Sequence, residues 1–409
     1  MPIMAQHYRV AAFVLLGVTG LAVIGIVLTT PSSGGSAGRP AAVRPTGTPA
    51  STTKPSSADP TMRLGAPVST TRPSHVVRTP AAHQEGPIVG ISDPALLNQT
   101  ASQQQADLTA MRAIGVSSIR VETNWAQVQP EGPSSFDWGA LDQTIGSIEA
   151  AGMSVDLVID GCPRWAATSA SAEGSAPTPA SPDQYAAFAA QVAARFAPVG
   201  VNIFEIWNEP NIVEFWQPQP DPQAYSAMLK AAYPAIKKVV PSATVISAGL
   251  APASSDGTNI APLSFLQAMY ADGAKDYFDA LGFHPYSYPA TPDTYEPWSA
   301  WSQMSQTSPS VRSVMASYGD SGKKIWITEY GAPSSGPDGI GEAAQSASLT
   351  QAIDRARSTS WIGAIYLYTW VDNGTIPADH GDEFGLLTDG GTQKAAYNGV
   401  ASVLKTAAS

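Results

Sequence analysis

The chain has 409 residues and a formal charge of −11, a length that fits one large domain or two ordinary ones. Residues 1–85 carry seven basic side chains (Arg9, Arg39, Arg44, Lys54, Arg63, Arg72 and Arg78) against Asp59 and Glu85, so the acidity belongs to the remainder; an acidic folded part argues against a nucleic-acid partner and is neutral toward uncharged sugars. The single cysteine, Cys162, excludes an intramolecular disulfide and a multi-cysteine metal site.

Residues 10–28 form a nearly unbroken apolar run preceded by Arg9. It is long enough to cross a bilayer and exceeds the usual core of a cleavable signal peptide, so residues 1–30 are predicted to be a transmembrane signal anchor with the N-terminus inside. A cleaved signal is the alternative, although no clean Ala-x-Ala site follows. Residues 31–86 are rich in Pro, Ser, Thr, Ala and Gly without apolar periodicity. Such a composition buries too little surface to offset chain entropy and reads as a disordered linker. Anchor and tether together imply a bacterial-type extracytoplasmic protein held at the cell membrane, or one secreted after cleavage.

From residue 87 to 409 the texture changes. Eight short β-favouring runs, at 88–91, 118–121, 154–159, 201–206, 244–247, 280–283, 324–328 and 363–369, are separated by amphipathic stretches at 104–114, 141–151, 182–196, 223–239, 343–359 and 394–404. Strand and helix alternating eight times predicts a parallel (β/α)8 TIM barrel. A doubly wound open sheet is the structural alternative; it usually begins with a Gly-rich turn, and Ile91-Ser-Asp-Pro94 is not one.

In a (β/α)8 barrel the reactive groups sit at the C-terminal ends of the strands. Those ends carry Arg120 and Glu122 (strand two), Asp160 with Trp165 just beyond (strand three), and Asn208 and Glu209 (strand four). Strand six offers His284 and Tyr286, strand seven Glu329 and Tyr330, and strand eight Trp370. A carboxylate at the end of a buried strand is costly unless paired, hydrogen-bonded or used. Two of them, Glu209 and Glu329, suggest one shared site of the kind that glycosidic-bond chemistry requires. Each is also open to a plainer reading, as a helix-opening glutamate or an isolated strand-end charge. Glu205 lacks the Asn-Pro context of Glu209 and is expected to be buried or salt-bridged. Cys162, with only Arg164 as a basic neighbour, is expected to be inert.

Trp207-Asn208-Glu209-Pro210 together with Thr328-Glu329-Tyr330-Gly331 resembles the pattern of the clan A retaining glycoside hydrolases. The resemblance spans about residues 87–404. Arg120 matches the clan's strand-two arginine, and His284-Pro-Tyr286 its strand-six element. Within the clan the chain looks most like family 39, with family 5 second, because family 5 members often carry a His at the end of strand three where this chain has Asp160-Gly-Cys-Pro163. The resemblance implies Glu209 as acid/base and Glu329 as nucleophile, with no metal or organic cofactor. Asn208 would then hydrogen-bond the sugar 2-hydroxyl, and Arg120 would keep Glu329 ionised. Tyr286 or His284 would orient the nucleophile, while Trp370 and Trp165 are candidate sugar-stacking platforms. The expected substrate is a β-linked oligo- or polysaccharide of the cell envelope or the environment. A binding barrel without activity, or a transglycosylase on the same residues, are the competing functions. The loop His380-Gly-Asp-Glu383 is a candidate to close the cleft.

Overall fold

The computed structural model describes residues 86–374 and 383–406. The expected anchor at 1–30 and all but the last residue of the linker at 31–86 lie outside the described residues, as does most of the His380–Glu383 loop. Among the described residues no helix is long and apolar enough to cross a membrane.

Eight parallel strands close into a barrel in sequence order. They are β1 (Ile88–Ser92), β2 (Ser118–Asn124), β3 (Ser154–Asp160), β4 (Ile203–Asn208), β5 (Thr244–Gly249), β6 (Ala280–Phe283), β7 (Lys324–Tyr330) and β8 (Ile362–Tyr368). Closure is made by β1 against β8, with Ile88 opposite Ala364 and Ser92 opposite Tyr368. The helices, in order, are α1 (Ala101–Ala113), α2 (Trp125–Val128), α3 (Gly139–Ala150), α4 (Pro182–Phe196) and α5 (Pro222–Val239), followed by α6 (Pro262–Ala271), α7 (Ala300–Ser305), α8 (Val311–Ser317), α9 (Glu342–Ser358) and α10 (Ala395–Thr406).

The helices start where their sequences say they should. Thr100 and Gln103 form a reciprocal capping box before α1. Ser181 and Asp221 cap α4 and α5, each followed by a proline at the first helical position, where a missing N–H costs nothing. On α5 the buried side chains Tyr225, Met228, Leu229, Ala232 and Ile236 recur at three- and four-residue spacing, one stripe turned to the sheet. Two tyrosines tie this layer to the strand ends. Tyr185 of α4 donates to the Ile159 carbonyl (2.6 Å), and Tyr225 of α5 donates to the Ile206 carbonyl (2.9 Å) while accepting from Ala248 N–H (2.7 Å). Both bonds fall close to the residues that form the mouth.

Inside the barrel, Ile203, Ile246, Ala280, Trp326, Ala364 and Tyr366 pack as a separate apolar cluster in the lower part of the lumen. Fully burying each large apolar side chain is worth about 1.5–3 kcal/mol, so this plug closes the barrel from below. Polar groups lie above it, toward the C-terminal ends of the strands.

Candidate active site

The end of β4 sets the geometry. Regular alternation would send Ile203, Glu205 and Trp207 to the same side. Instead Trp207 has φ 73° and Glu209 φ 42°, a left-handed conformation that costs of order 1–3 kcal/mol for such residues. The reversal turns Trp207 outward, where its ring meets Tyr185 (5.9 Å) and Trp216 (5.4 Å) and its indole N–H donates to the Phe215 carbonyl (2.9 Å). Asn208 and Glu209 are thereby delivered to the mouth, with Glu209 N–H on the Gly249 carbonyl (3.1 Å).

Arg120, two residues below Glu122 on β2 and 2 % exposed, is the hub. Its Nε donates to Glu205 Oε2 (2.7 Å), Nη1 to Glu329 Oε1 (2.5 Å) and Ser92 Oγ (3.2 Å), and Nη2 to Asn208 Oδ1 (2.8 Å). A guanidinium only donates, so the Asn208 atom facing it must be the carbonyl oxygen, which leaves the Asn208 amide free to donate elsewhere. Beside this hub Asp156 is fully buried and neither of its carboxyl oxygens has a partner. Burial pushes its carboxyl well above the usual range, Glu205 adds to the rise, and Arg120 opposes it.

A second chain starts at Glu209. Its Oε1 lies 2.7 Å from His284 Nδ1, and His284 Nε2 lies 3.0 Å from Thr328 Oγ1. The Thr328 hydroxyl spends its one proton on Glu205 Oε1 (3.0 Å), so it accepts from His284 Nε2–H. A further proton therefore lies between Nδ1 and Oε1, and Oε2, buried and unpartnered, is the oxygen of Glu209 left to act on something else. Gly249 makes the arrangement possible: a Cβ there would come 2.0 Å from His284 Nε2 and 2.6 Å from Thr328 Oγ1.

Glu329 is held from two sides, by Arg120 and by the Tyr286 hydroxyl, which donates to Oε2 (2.7 Å). Burial pushes both glutamates above the ordinary range. Arg120 and Tyr286 pull Glu329 back down, and His284 pulls Glu209 down. Arg120 also lowers Glu209, and Glu205 raises Glu329. One ligand atom each from Glu209, His284 and Glu329 lies within 4.8 Å of the others, a spacing that could catch a divalent cation, although the Nδ1–Oε1 contact is already closed by a proton.

Most residues singled out in the sequence converge here: Arg120, Asn208, Glu209, His284, Tyr286 and Glu329. Glu205 is fully buried on Arg120, Thr328 and Gly249 N–H (2.8 Å). Cys162 is buried and its thiol is pushed up to about 12 by burial. One expectation is narrowed and one corrected. Of the two residues expected to orient Glu329, Tyr286 makes the hydrogen bond (2.7 Å), while His284 Nδ1 lies 3.7 Å from Glu329 Oε2 and bonds Glu209 at 2.7 Å. Trp370 is 0 % exposed and packs on Tyr397 of α10 (5.8 Å), so it has no face to offer a sugar. The strand ends at Tyr368 and the chain turns away before Trp370.

The aromatic that does reach the rim is Tyr368. It is half-buried, meets the Tyr286 ring (6.4 Å) and Phe384 (5.7 Å), and feels the charges of Glu329, Glu122 and Asp93. Tyr366 and Tyr368 share parity along β8, a signal that the larger Trp370 obscured. Trp165 is half-buried, edge-on to Trp125 (5.6 Å) with its N–H on the Gln129 carbonyl (2.7 Å). Thr328, which relays between His284 and Glu205, carried no sequence signal beyond its place before Glu329.

A closed parallel barrel with paired glutamates at the ends of strands four and seven is the architecture of the clan A glycoside hydrolases. Residues 81–368, well over half of the chain, match the family model for Cellulase (glycosyl hydrolase family 5), and the chain belongs to that family. It is a glycosidase. Among solved structures it is similar to a family 39 glycoside hydrolase from the gut symbiont Bacteroides cellulosilyticus (23% identity, TM-score 0.63), covering 78% of this chain and 64% of that one. It is also similar to a monomeric β-xylosidase from Caulobacter crescentus (20% identity, TM-score 0.58, 78% and 67% covered) and to GH5_18 from Streptomyces cattleya in complex with GlcNAc (19% identity, TM-score 0.59, 78% and 80% covered). At these identities the likeness speaks for the fold. No curated protein sequence matches the chain significantly.

Proposed function

We propose that the protein is a retaining β-glycosidase acting by double displacement on Glu209 and Glu329. The observation that carries the reading is the approach of the two carboxyl groups, an oxygen of each lying within 4.8 Å. Retaining enzymes hold these groups about 5–5.5 Å apart, whereas inverting ones leave about 6.5–9.5 Å for a water molecule. In the first step the proton shared by Glu209 and His284 passes through Glu209 to the glycosidic oxygen as a Glu329 oxygen attacks the anomeric carbon. The C–O bond to the leaving group breaks and a glycosyl ester forms. In the second step Glu209, now a carboxylate, takes a proton from water, whose oxygen displaces Glu329 with retention of configuration. The free amide of Asn208 is disposed to donate to the sugar 2-hydroxyl. The β-xylosidase among the similar structures supports a β-linked substrate. The apolar run at 10–28 and the tether at 31–86 support an extracytoplasmic enzyme held at the membrane and acting on envelope or environmental polysaccharide.

The test is the division of labour. Glu329→Gln should abolish turnover of every aryl β-glycoside and prevent labelling by a 2-deoxy-2-fluoro glycosyl fluoride. Glu209→Gln should cost about 10²–10⁴-fold on poor leaving groups, spare dinitrophenyl leaving groups in the first step, and regain turnover with azide. Equal, unrescued losses in both variants, with no labelling of the wild type, would favour a carbohydrate-binding barrel instead. Product analysis with sugar acceptors separates hydrolysis from transglycosylation.

A further inference from the structure

Glu205 and Thr328 are both fully buried and take no part in the chemistry above, yet together they touch the partners of both Glu209 and Glu329. Glu205 Oε2 accepts from Arg120 Nε (2.7 Å), and Glu205 Oε1 accepts from Gly249 N–H (2.8 Å) and from the Thr328 hydroxyl (3.0 Å). Every hydrogen bond Glu205 makes is one it accepts, as a carboxylate must. Thr328 stands on β7 two residues beyond Trp326 of the lumen cluster, where an apolar side chain would pack as well. Its hydroxyl has one proton. Turned toward His284, that proton would leave two bare oxygens 3.0 Å apart. Turned toward Glu205, it leaves Thr328 Oγ1 to accept from His284 Nε2, also 3.0 Å away. The direction of one hydroxyl therefore decides which ring nitrogen of His284 carries the fixed proton.

That choice has a chemical consequence. With Nε2–H anchored, the proton between Nδ1 and Glu209 Oε1 (2.7 Å) can leave, and what remains is a neutral imidazole beside a carboxylate. With Nε2 bare, the proton at Nδ1 would be the ring's own, and giving it up would leave an imidazolate, a far stronger base than a carboxylate. We propose that Glu205, acting through Thr328, locks His284 in the Nε2–H tautomer and so keeps the proton of the Glu209–His284 contact transferable to the glycosidic oxygen. Both are positioning residues. The proposal rests on the retaining-glycosidase reading and deepens it. In the first step the proton goes to the leaving oxygen as the C–O bond breaks. In the second a proton from water returns to the same contact, so the ring ends each cycle as it began. The same carboxylate braces Arg120, which donates to Glu329 Oε1, so one buried acid orients the partners of both glutamates.

Thr328→Val keeps the shape of the side chain and removes the acceptor. The buried Nε2–H would then go unpaired, and the ring escapes that cost by moving its proton to Nδ1. Glu205→Gln reaches the same end by another route. Arg120 only donates, so the new amide oxygen must face it, the amide nitrogen faces Thr328, and the hydroxyl turns its proton to His284 Nε2. Thr328→Ser keeps the lock. The full chain labelled with nitrogen-15 histidine reports the tautomer through long-range proton–nitrogen correlations, the His284 signals being those lost in His284→Gln. Nε2 should be protonated in the wild type and in Thr328→Ser, and bare in Thr328→Val and Glu205→Gln. Either of the last two carries this measurement if the other does not fold. In turnover, Thr328→Val should lower kcat/KM about 10²-fold on aryl glycosides with poor leaving groups, which need the proton, and much less on dinitrophenyl glycosides, which do not. Thr328→Ser should restore the poor substrates. A bare Nε2 in the wild type, a Thr328→Val protein with unchanged tautomer or kinetics, or equal losses on both classes of substrate would each overturn the proposal. The expected tautomers without turnover or labelling of the wild type would leave the lock standing and sink the retaining mechanism.

Discussion

At the scale of single residues, burial raises Glu209 and His284 opposes the rise. Activity should follow a bell-shaped pH profile in kcat/KM, its acid limb reporting protonation of Glu329 and its basic limb loss of the Glu209 proton. Burial raises Glu209 and the imidazole, by hydrogen bond and charge, lowers it. Replacing His284 with Gln removes the lowering influence, so Glu209 should hold its proton to higher pH and the basic limb should move to the alkaline side. A kcat/KM–pH profile of the folded His284→Gln variant decides this; a limb that stays put or moves toward acid would break the link between the two residues. The sequence made Glu209 visible through its Asn and Pro neighbours and Glu329 through its place on strand seven. It could not show which of them His284 touches, because that depends on how far the ring reaches across the lumen from β6, a distance opened by the missing side chain at Gly249.

At the scale of elements, the strands were legible because each is an apolar run bounded by turn residues, and all eight expected runs fall on observed strands within two or three residues. The errors cluster where the chain leaves regular structure. β4 runs on to Asn208 rather than stopping at Ile206, and its alternation reverses at Trp207, which no periodicity rule anticipates. Helices α2, α6, α7 and α8 lay outside the expected amphipathic stretches; α6 begins at Pro262, and α2, α7 and α8 are only 4, 6 and 7 residues long. After β8 the rim segment is fixed by a buried ion pair. Lys394 Nζ donates to Asp372 Oδ1 (2.8 Å) and to the Glu383 carbonyl (3.2 Å), and Asp372 Oδ1 also accepts from Gly385 N–H (2.7 Å). Lys394 and Asp372 are 2 % and 6 % exposed. Lys394→Met would strand Asp372 without its cation, and breaking such a pair costs about 3–5 kcal/mol. Denaturant unfolding should register a loss of that size. Activity should fall with it, because Phe384, which meets Tyr286 and Tyr368, sits beside the clamped segment.

At the scale of the molecule, the barrel closes on itself between β1 and β8, and α10 packs back on α9, so nothing in its closure calls on residues 1–85. A protein starting at Gly86 should fold, remain soluble and keep the full kcat of the longer chain, as measured on the best aryl glycoside; an inactive or aggregated product would move the domain boundary upstream. The fold class was legible in the rhythm of strands and helices, and the acidic balance of this part in its composition. What composition could not reveal is how many of those acids lie inside. Asp156, with both oxygens unpartnered beneath the active site, has the widest consequence. Burial pushes Asp156, Asp160 and Glu122 above their ordinary range and Asp93 up to about 7. An unfolded chain would have lost these protons well before neutrality, so the native state binds more of them. The stability they contribute is complete below the unfolded carboxyl range and is lost as the pH climbs through the native values, near 7 for Asp93. Folding should therefore draw protons from solution, and the melting temperature should be higher at pH 5.5 than at pH 8. Asp156→Asn should flatten that slope. An enzyme of this design would tolerate acidifying surroundings better than alkaline ones.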